Sequence, residues 1–274
     1  MFSYETYWKL NKRPFENTPD PTFLYYSKQH KEALLRLLYT IEQEKGAAVL
    51  TGVFGCGKTL LGQAIFTELS EYKYRLVNIL NPQLDAAELL MTIATQLGAQ
   101  NFPLKKSEVL INLVLDSINQ ALLDNMRDGK GTIIIVDEAH LISNPTIFEQ
   151  LRLLLNFQSK DRFLLTLLLF GQPELREKIL ANRQLEQRVP VRCHLDSLDR
   201  ADTESYISHR LTVAGRPDLL FTDEALTLIY EHSGGIPRRI NNLCDMCLFS
   251  GYTYEKDTID AEIVKREIKE LVVH

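Results

Sequence analysis

The segment Gly52-Val53-Phe54-Gly55-Cys56-Gly57-Lys58-Thr59 restricts the fold more than any other stretch of the chain. It follows the apolar run 47–51 and precedes a helical stretch from Leu60, so it occupies a strand-to-helix turn. In that context the spacing G-x-x-x-x-G-K-[ST] reads as a phosphate-binding loop. Its glycines let the backbone wrap closely, so that successive N–H groups and the helix N-terminus point at a β-phosphate. Gly52, Gly55, Cys56, Gly57, Lys58, Thr59 and Leu60 are therefore expected against a nucleotide such as ATP. Lys58 would neutralise the β- and γ-phosphates, and Thr59 would place its hydroxyl on Mg²⁺. Only the backbone N–H of Cys56 is needed there, so its thiol reads as incidental rather than as a redox switch.

The run 132–136 ends in Asp137-Glu138-Ala139-His140, at the edge where a parallel sheet presents its ligand groups. Asp137 is expected to hold the magnesium, through water, and Glu138 to polarise the attacking water toward the γ-phosphorus. The run 163–170 ends in Gly171-Gln172-Pro173, which puts Gln172 at the same edge. It reads either as orienting the water or sensing the γ-phosphate, or as a solvated side chain in a turn. Arg183, Arg188 and Arg192 gather around the last strand, as a solvated face or as a source of positive charge for a neighbour's γ-phosphate. The turn Gly234-Gly235-Ile236-Pro237-Arg238-Arg239 places a rigid basic pair at a helix start, and Arg238 is a candidate for folding a helical domain over bound nucleotide.

Short apolar runs at 47–51, 76–80, 132–136, 163–170 and 189–195 alternate with helical stretches at 60–71, 86–98, 107–128 and 145–159. Because the runs lack period-two alternation, they predict an α/β fold with a five-stranded parallel sheet buried on both faces. After Leu195 no strand run follows. Helices are expected at about 201–214, 222–233, 237–252 and from 260, with Thr222 and Asp260 as N-caps and Pro237 opening the third. Residues 1–27 are an arm rich in aromatics and prolines, expected to pack on the domain that follows it. The expected organisation is the arm at 1–27, a nucleotide-binding domain at 28–195 opening on an amphipathic helix, and a helical lid at 196–274, with ATP between the last two.

A net charge of −5 over 274 residues argues against a protein that coats nucleic acid by bulk electrostatics. Lys105-Lys106 and Arg238-Arg239 are small basic sites no larger than a solvated face carries. The N-terminus lacks the basic start and apolar stretch of a signal peptide, and the run 163–170 is far short of the roughly 20 residues that span a bilayer. A cytoplasmic chain is expected. Cys244 and Cys247 form one C-x-x-C without a second pair or a histidine at zinc-finger spacing, so they read as buried small hydrophobes.

Together with Pro14-Phe15, the segment from Thr18 to Tyr25, His30-Lys-Glu-Ala-Leu34, Gln150-Leu-Arg-Leu-Leu154, Gly171-Gln-Pro-Glu-Leu175, Leu185-Glu-Gln-Arg188 and Gly234-Gly-Ile-Pro-Arg238, these motifs resemble the AAA+ ATPases. The narrower resemblance is to the ExeA-type ATPases of general secretion and related bacterial envelope pathways, and it covers essentially the whole chain. It implies that Gln172 occupies the sensor-one place, that Arg188 is the arginine finger acting in trans, and that Arg238 is sensor two. The aromatic arm looks like the segment that helps cover the adenine. A trans arginine requires assembly, and the resemblance implies a hexameric ring. The membrane-spanning and peptidoglycan-binding segments of that family have no counterpart here. Either the chain is a piece of a longer protein or it works through a separate membrane partner.

Three functions follow as alternatives. The first is an ATPase that drives secretion, pilus or polysaccharide machinery from the cytoplasmic side of the inner membrane. Transposition regulators of the TniB, TnsC and MuB kind are similar in their ATPase core, so the second is an ATP-dependent DNA-binding switch. The third is a nucleotide-dependent scaffold with negligible turnover.

Overall fold

The apolar runs form one all-parallel sheet, whose strands lie side by side in the order 74–79, 131–136, 166–171, 47–52 and 191–195. The computed structural model describes residues 3–69, 72–99, 110–160, 162–218 and 220–273. The first half of the chain runs α1 (Tyr4–Tyr7), α2 (Lys28–Glu42), β1 (Ala47–Gly52), α3 (Lys58–Glu68), β2 (Tyr74–Ile79), α4 (Ala86–Gln96), α5 (Ile111–Arg127) and β3 (Gly131–Val136). There follow α6 (Pro145–Leu154), β4 (Gln158–Ser159), β5 (Arg162–Phe163), β6 (Thr166–Gly171), α7 (Glu174–Ala181), α8 (Arg183–Glu186) and β7 (Val191–Leu195). The last four helices are α9 (Arg200–Val213), α10 (Asp223–Ser233), α11 (Pro237–Thr253) and α12 (Ala261–Val273).

By their contacts the residues fall into two compact units, one of Lys31–Val53 and Leu61–Leu195, the other of Met1–His30, Phe54–Leu60 and Asp196–His274. In the sheet unit every residue of β1 and β6 is buried, as expected for central strands covered on both faces. Val136 of β3 lies opposite Leu169 of β6, whose next residues Phe170 and Gly171 lie opposite Leu50 and Thr51 of β1. The three strands therefore end at one edge, where the chain continues into Gly52, Asp137 and Gln172.

One expected strand is shorter than its apolar run. Arg162–Phe163 pairs antiparallel with Gln158–Ser159, and only from Thr166 does the chain join the main sheet. Leu164 and Leu165 are buried in the connection, so hydrophobicity continues through a turn and hides its position. The same ribbon ends α6 at Leu154 rather than 159. Two tight bonds, from Asn156 N–H to the carbonyl of Leu153 and from Phe157 N–H to that of Leu154, turn the chain there.

In the helical unit, Asp199, Thr222 and Asp260 each accept backbone N–H groups and cap α9, α10 and α12. The arm does not pack as expected: Trp8, Phe15 and Phe23 belong to the core built by these helices, with Leu211, Ile229 and Leu248, and not to the core around the sheet. Trp8 is 1% exposed and donates its Nε1–H to the carbonyl of Leu248 at 2.8 Å. Arg210 donates to the carbonyls of Pro14 and Glu16 and lies over the Phe23 ring. A small bundle buries too little apolar surface by itself, and the aromatics of the arm supply what it lacks. Among the described residues, no helix is long and apolar enough to cross a membrane.

Candidate functional site

The phosphate loop is built from backbone that only glycine adopts freely. Gly55 has φ +82° and Gly57 φ +98°, and a Cβ at Gly55 would fall 2.7 Å from the Cβ of Arg238. A Cβ at Gly57 would lie 3.2 Å from Nε2 of His30. Two struts thus define the back of the loop. Arg238, in the first turn of α11, donates its backbone N–H to the carbonyl of Gly55 at 3.2 Å, and its guanidinium lies 4.8 Å over the Phe54 ring. His30 is buried, with Nε2 2.9 Å from the carbonyl of Cys56 and Nδ1 2.7 Å from Oγ of Ser27. A carbonyl only accepts, so Nε2 carries the proton and Nδ1 accepts from the serine. Burial pushes the His30 pKa down, which keeps the ring neutral in this role.

Lys58 is buried in the first turn of α3, with Nζ 3.9 Å from the Cys56 sulfur. Burial raises the Cys56 thiol above its ordinary range, an unreactive state that agrees with a structural thiol. Thr59 and Leu60 follow in the same helix. Glycines in the left-handed region, a buried lysine and a threonine opening a helix are the parts a polyphosphate requires.

At the sheet edge Asp137 is 5% exposed, and its Oδ1 accepts the backbone N–H of Glu138 at 2.8 Å. Glu138 has φ +50° and ψ +31°, a left-handed conformation costing a non-glycine residue roughly 1–2 kcal/mol. Such strain persists only where the surroundings fix it. Here Lys178 donates to the carbonyls of His140 and Ile142, clamping the turn that follows. The His140 ring lies with Nδ1 3.3 Å from Oε2 of Glu138 and Nε2 2.9 Å from Nε2 of Gln172. The hydroxyl of Thr59 and the carboxylate of Asp137 are hard oxygen donors, the chemistry Mg²⁺ selects. Among the described residues no group of three or more His, Cys, Asp or Glu could hold a metal.

Arg188 is half-buried and donates from Nη1 to the carbonyl of Leu155 at 2.9 Å, while Arg192 pairs with Glu186 at 2.9 Å. Arg183 is exposed. Of the two basic pairs, Lys105-Lys106 lies outside the described residues, and Arg238 is engaged over Phe54. Cys244 and Cys247 are fully buried in α11, and burial raises both thiols. His30, His140 and Lys178 escaped the reading of site residues. His140 stands two residues after Glu138, a proximity that could have flagged it, whereas His30 meets the loop only through the fold.

The sequence pattern of the AAA domain family matches residues 41–179. General secretion pathway protein A of Aeromonas hydrophila is 38% identical over 252 residues, which cover 91% of this chain and 45% of that protein. The chain thus spans less than half the length of that relative. Among solved structures, the fold is similar to Cdc6p of Pyrobaculum aerophilum, with a TM-score of 0.73 at 17% identity over 92% of this chain and 70% of that one. It is also similar to the ORC2 protein of Aeropyrum pernix, with a TM-score of 0.70 at 18% identity over 95% of this chain and 71% of that one. With the loop, the acidic strand end and the five-stranded order in place, the chain belongs to the AAA domain family, and within it to the ExeA type marked by its likeness to General secretion pathway protein A.

Proposed function

We propose that the protein is an ATPase. The loop 52–59 and Leu60 bind the phosphates, Lys58 neutralises the β- and γ-phosphates, and Thr59 and Asp137 hold Mg²⁺. The bound ion would offset charge developing on the phosphate oxygens. Glu138 orients and polarises the attacking water, and Gln172 contacts the γ-phosphate or that water. The observation that carries the reading is Glu138 itself, a carboxylate held in a strained left-handed turn at the edge where β1 runs into the glycine loop. Lys9, Glu44, Lys160 and Glu255 take the same backbone, so the place of Glu138 at the strand end, and not the strain alone, supports the assignment.

The test is Glu138→Gln. It should bind ATP as the parent does and lose turnover by about 10²-fold or more, the range expected for removing a general base. Turnover that survives the substitution would refute this assignment. No turnover in the parent protein, with binding intact, would leave the scaffold reading in its place.

We further infer a homo-oligomeric ring, hexameric as the family resemblance implies, in which Arg188 of one subunit reaches the nucleotide of the next and Arg238 responds to it. The relative's name supports a role in general secretion; action on that or a related envelope machine, through a protein partner at the cytoplasmic side of the inner membrane, is part of the same proposal. A shift of duplex DNA by the ATP-loaded protein that weakens as salt rises would instead favour the transposition regulators.

A further inference from the structure

We propose that His140 is a positioning residue that couples Gln172 to the carboxylate of Glu138, so that contact with the γ-phosphate at one and alignment of the attacking water at the other occur together. The inference rests on the ATPase reading above, in which Glu138 is the catalytic carboxylate.

The geometry comes from three side chains at the ends of β3 and β6. The Gln172 amide lies 2.9 Å from Nε2 of His140, and the other ring nitrogen lies 3.3 Å from Oε2 of Glu138. Nδ1 is buried and makes no aligned hydrogen bond among the described residues, so the 3.3 Å approach to the carboxylate is close but off the line of the N–H. A buried ring N–H without a partner is costly, and a small rotation of the Glu138 side chain supplies one.

The proton positions follow from the neighbours. The amide nitrogen of Gln172 faces Nε2, which therefore accepts, and the ring proton stands on Nδ1, facing the carboxylate of Glu138, which only accepts. The bond to Nε2 fixes the orientation of an amide that could otherwise be turned over. An amide NH₂ has two hydrogens. One is committed to His140 and the second is available for a phosphate oxygen, so a single Gln172 can serve both without breaking its bond to the ring. The sequence of contacts is phosphate oxygen, Gln172 N–H, His140, Glu138 carboxylate.

The ring is held firmly enough to act in this way. The His140 side chain is 10% exposed, its carbonyl receives Lys178, and the same lysine reaches the carbonyl of Ile142 at 2.7 Å. Glu138, by contrast, is 30% exposed at its side chain and has room to move between the ring and a water. A fixed imidazole beside a movable carboxylate serves to select one orientation of the carboxylate.

Steady-state ATPase rates and binding of a fluorescent ATP analogue, measured on His140→Ala, His140→Asn, Gln172→Ala and the double variant His140→Ala/Gln172→Ala, test the coupling. His140→Ala should lower kcat about ten- to a hundredfold with KM and analogue affinity nearly unchanged, the signature of lost alignment rather than lost binding. His140→Asn keeps a donor near Nδ1 but no acceptor at Nε2, so it should recover much of kcat, and Gln172→Ala should cost less in that background than in the parent, because only its direct contact is then lost. The double variant should be no slower than the slower single one. A His140→Ala enzyme with parental kcat, or single effects that multiply in the double variant, would overturn the proposal. If His140→Ala does not fold, the response of the His140→Asn background to Gln172→Ala decides alone: a loss as large as in the parent refutes the coupling. Failure of the ATPase reading looks different, because the parent would then show no turnover, or Glu138→Gln would retain it, whatever His140 does.

Discussion

The backbone N–H of Arg238 is hydrogen-bonded to the carbonyl of Gly55, so the first turn of α11 and the phosphate loop share a main-chain bond. Gly55 has no room for a side chain on that side, since a Cβ would lie 2.7 Å from the Cβ of Arg238, and its φ of +82° disfavours any other residue. Gly55→Ala should cost roughly 1–2 kcal/mol of stability from the backbone alone. It should also weaken ATP binding, because relieving the contact displaces the loop. Chemical denaturation together with nucleotide titration measures both, and a variant that binds ATP like the parent would show that the loop tolerates the shift.

The aromatic arm is a structural part of the helical unit. Trp8 is enclosed and bonded to Leu248, and its ring fills space against Gly251, where a Cβ would approach it to 2.7 Å. Trp8→Ala should therefore lose about 3–5 kcal/mol, the usual cost of emptying a tryptophan site in a core. Denaturant midpoints at unchanged slope would record it, and a loss below about 1 kcal/mol would mean that the arm is dispensable.

Local pattern made the centre of the fold legible. The strand, loop and helix around Gly52–Thr59, and the strand that ends in Asp137-Glu138, are each contained in a dozen or so neighbouring residues, where apolar runs and glycine spacing carry the information. The destination of the arm was not legible, because the bond from Trp8 to Leu248 spans 240 residues and an aromatic residue records only that it needs an apolar wall. The strut from His30 to Cys56 was hidden for the same reason. The start of β6 was blurred because Leu164 and Leu165 are as apolar in a turn as they would be in a strand.

His30 gives stability a pH dependence of definite sign. Burial lowers its pKa below the ordinary value of 6.5, against the opposing effect of its bond to Cys56. As pH falls below about 6.5, the unfolded chain takes up a proton that the folded protein refuses, so stability declines until the folded ring also titrates. His209, lowered by burial and by Arg210, acts in the same direction. Asp245, raised by burial, acts oppositely, but equally in the parent and in a His30 variant. Denaturation midpoints should thus fall between about pH 7.5 and 5.5, and fall less steeply in His30→Gln. Equal slopes in the two proteins would remove His30 as the cause.

Arg188 has two roles to reconcile, since the guanidinium that is proposed to reach a neighbouring nucleotide also donates to the carbonyl of Leu155 just past α6. A guanidinium has five N–H donors, so one bond to a carbonyl anchors the group and leaves others for phosphate oxygens. If the anchor were its whole function, Arg188→Ala would lose stability and any activity loss would stay with the altered subunit. If it acts in trans, Arg188→Ala retains Glu138 and lacks only its neighbour's arginine, while Glu138→Gln has the reverse defect. Mixed in equal amounts in a ring, the two inactive proteins should regain about a quarter of the parental ATPase rate, because that share of interfaces pairs an intact Glu138 with an intact Arg188. Co-assembly without any recovery would confine Arg188 to its own subunit, as the residue that closes the end of α6.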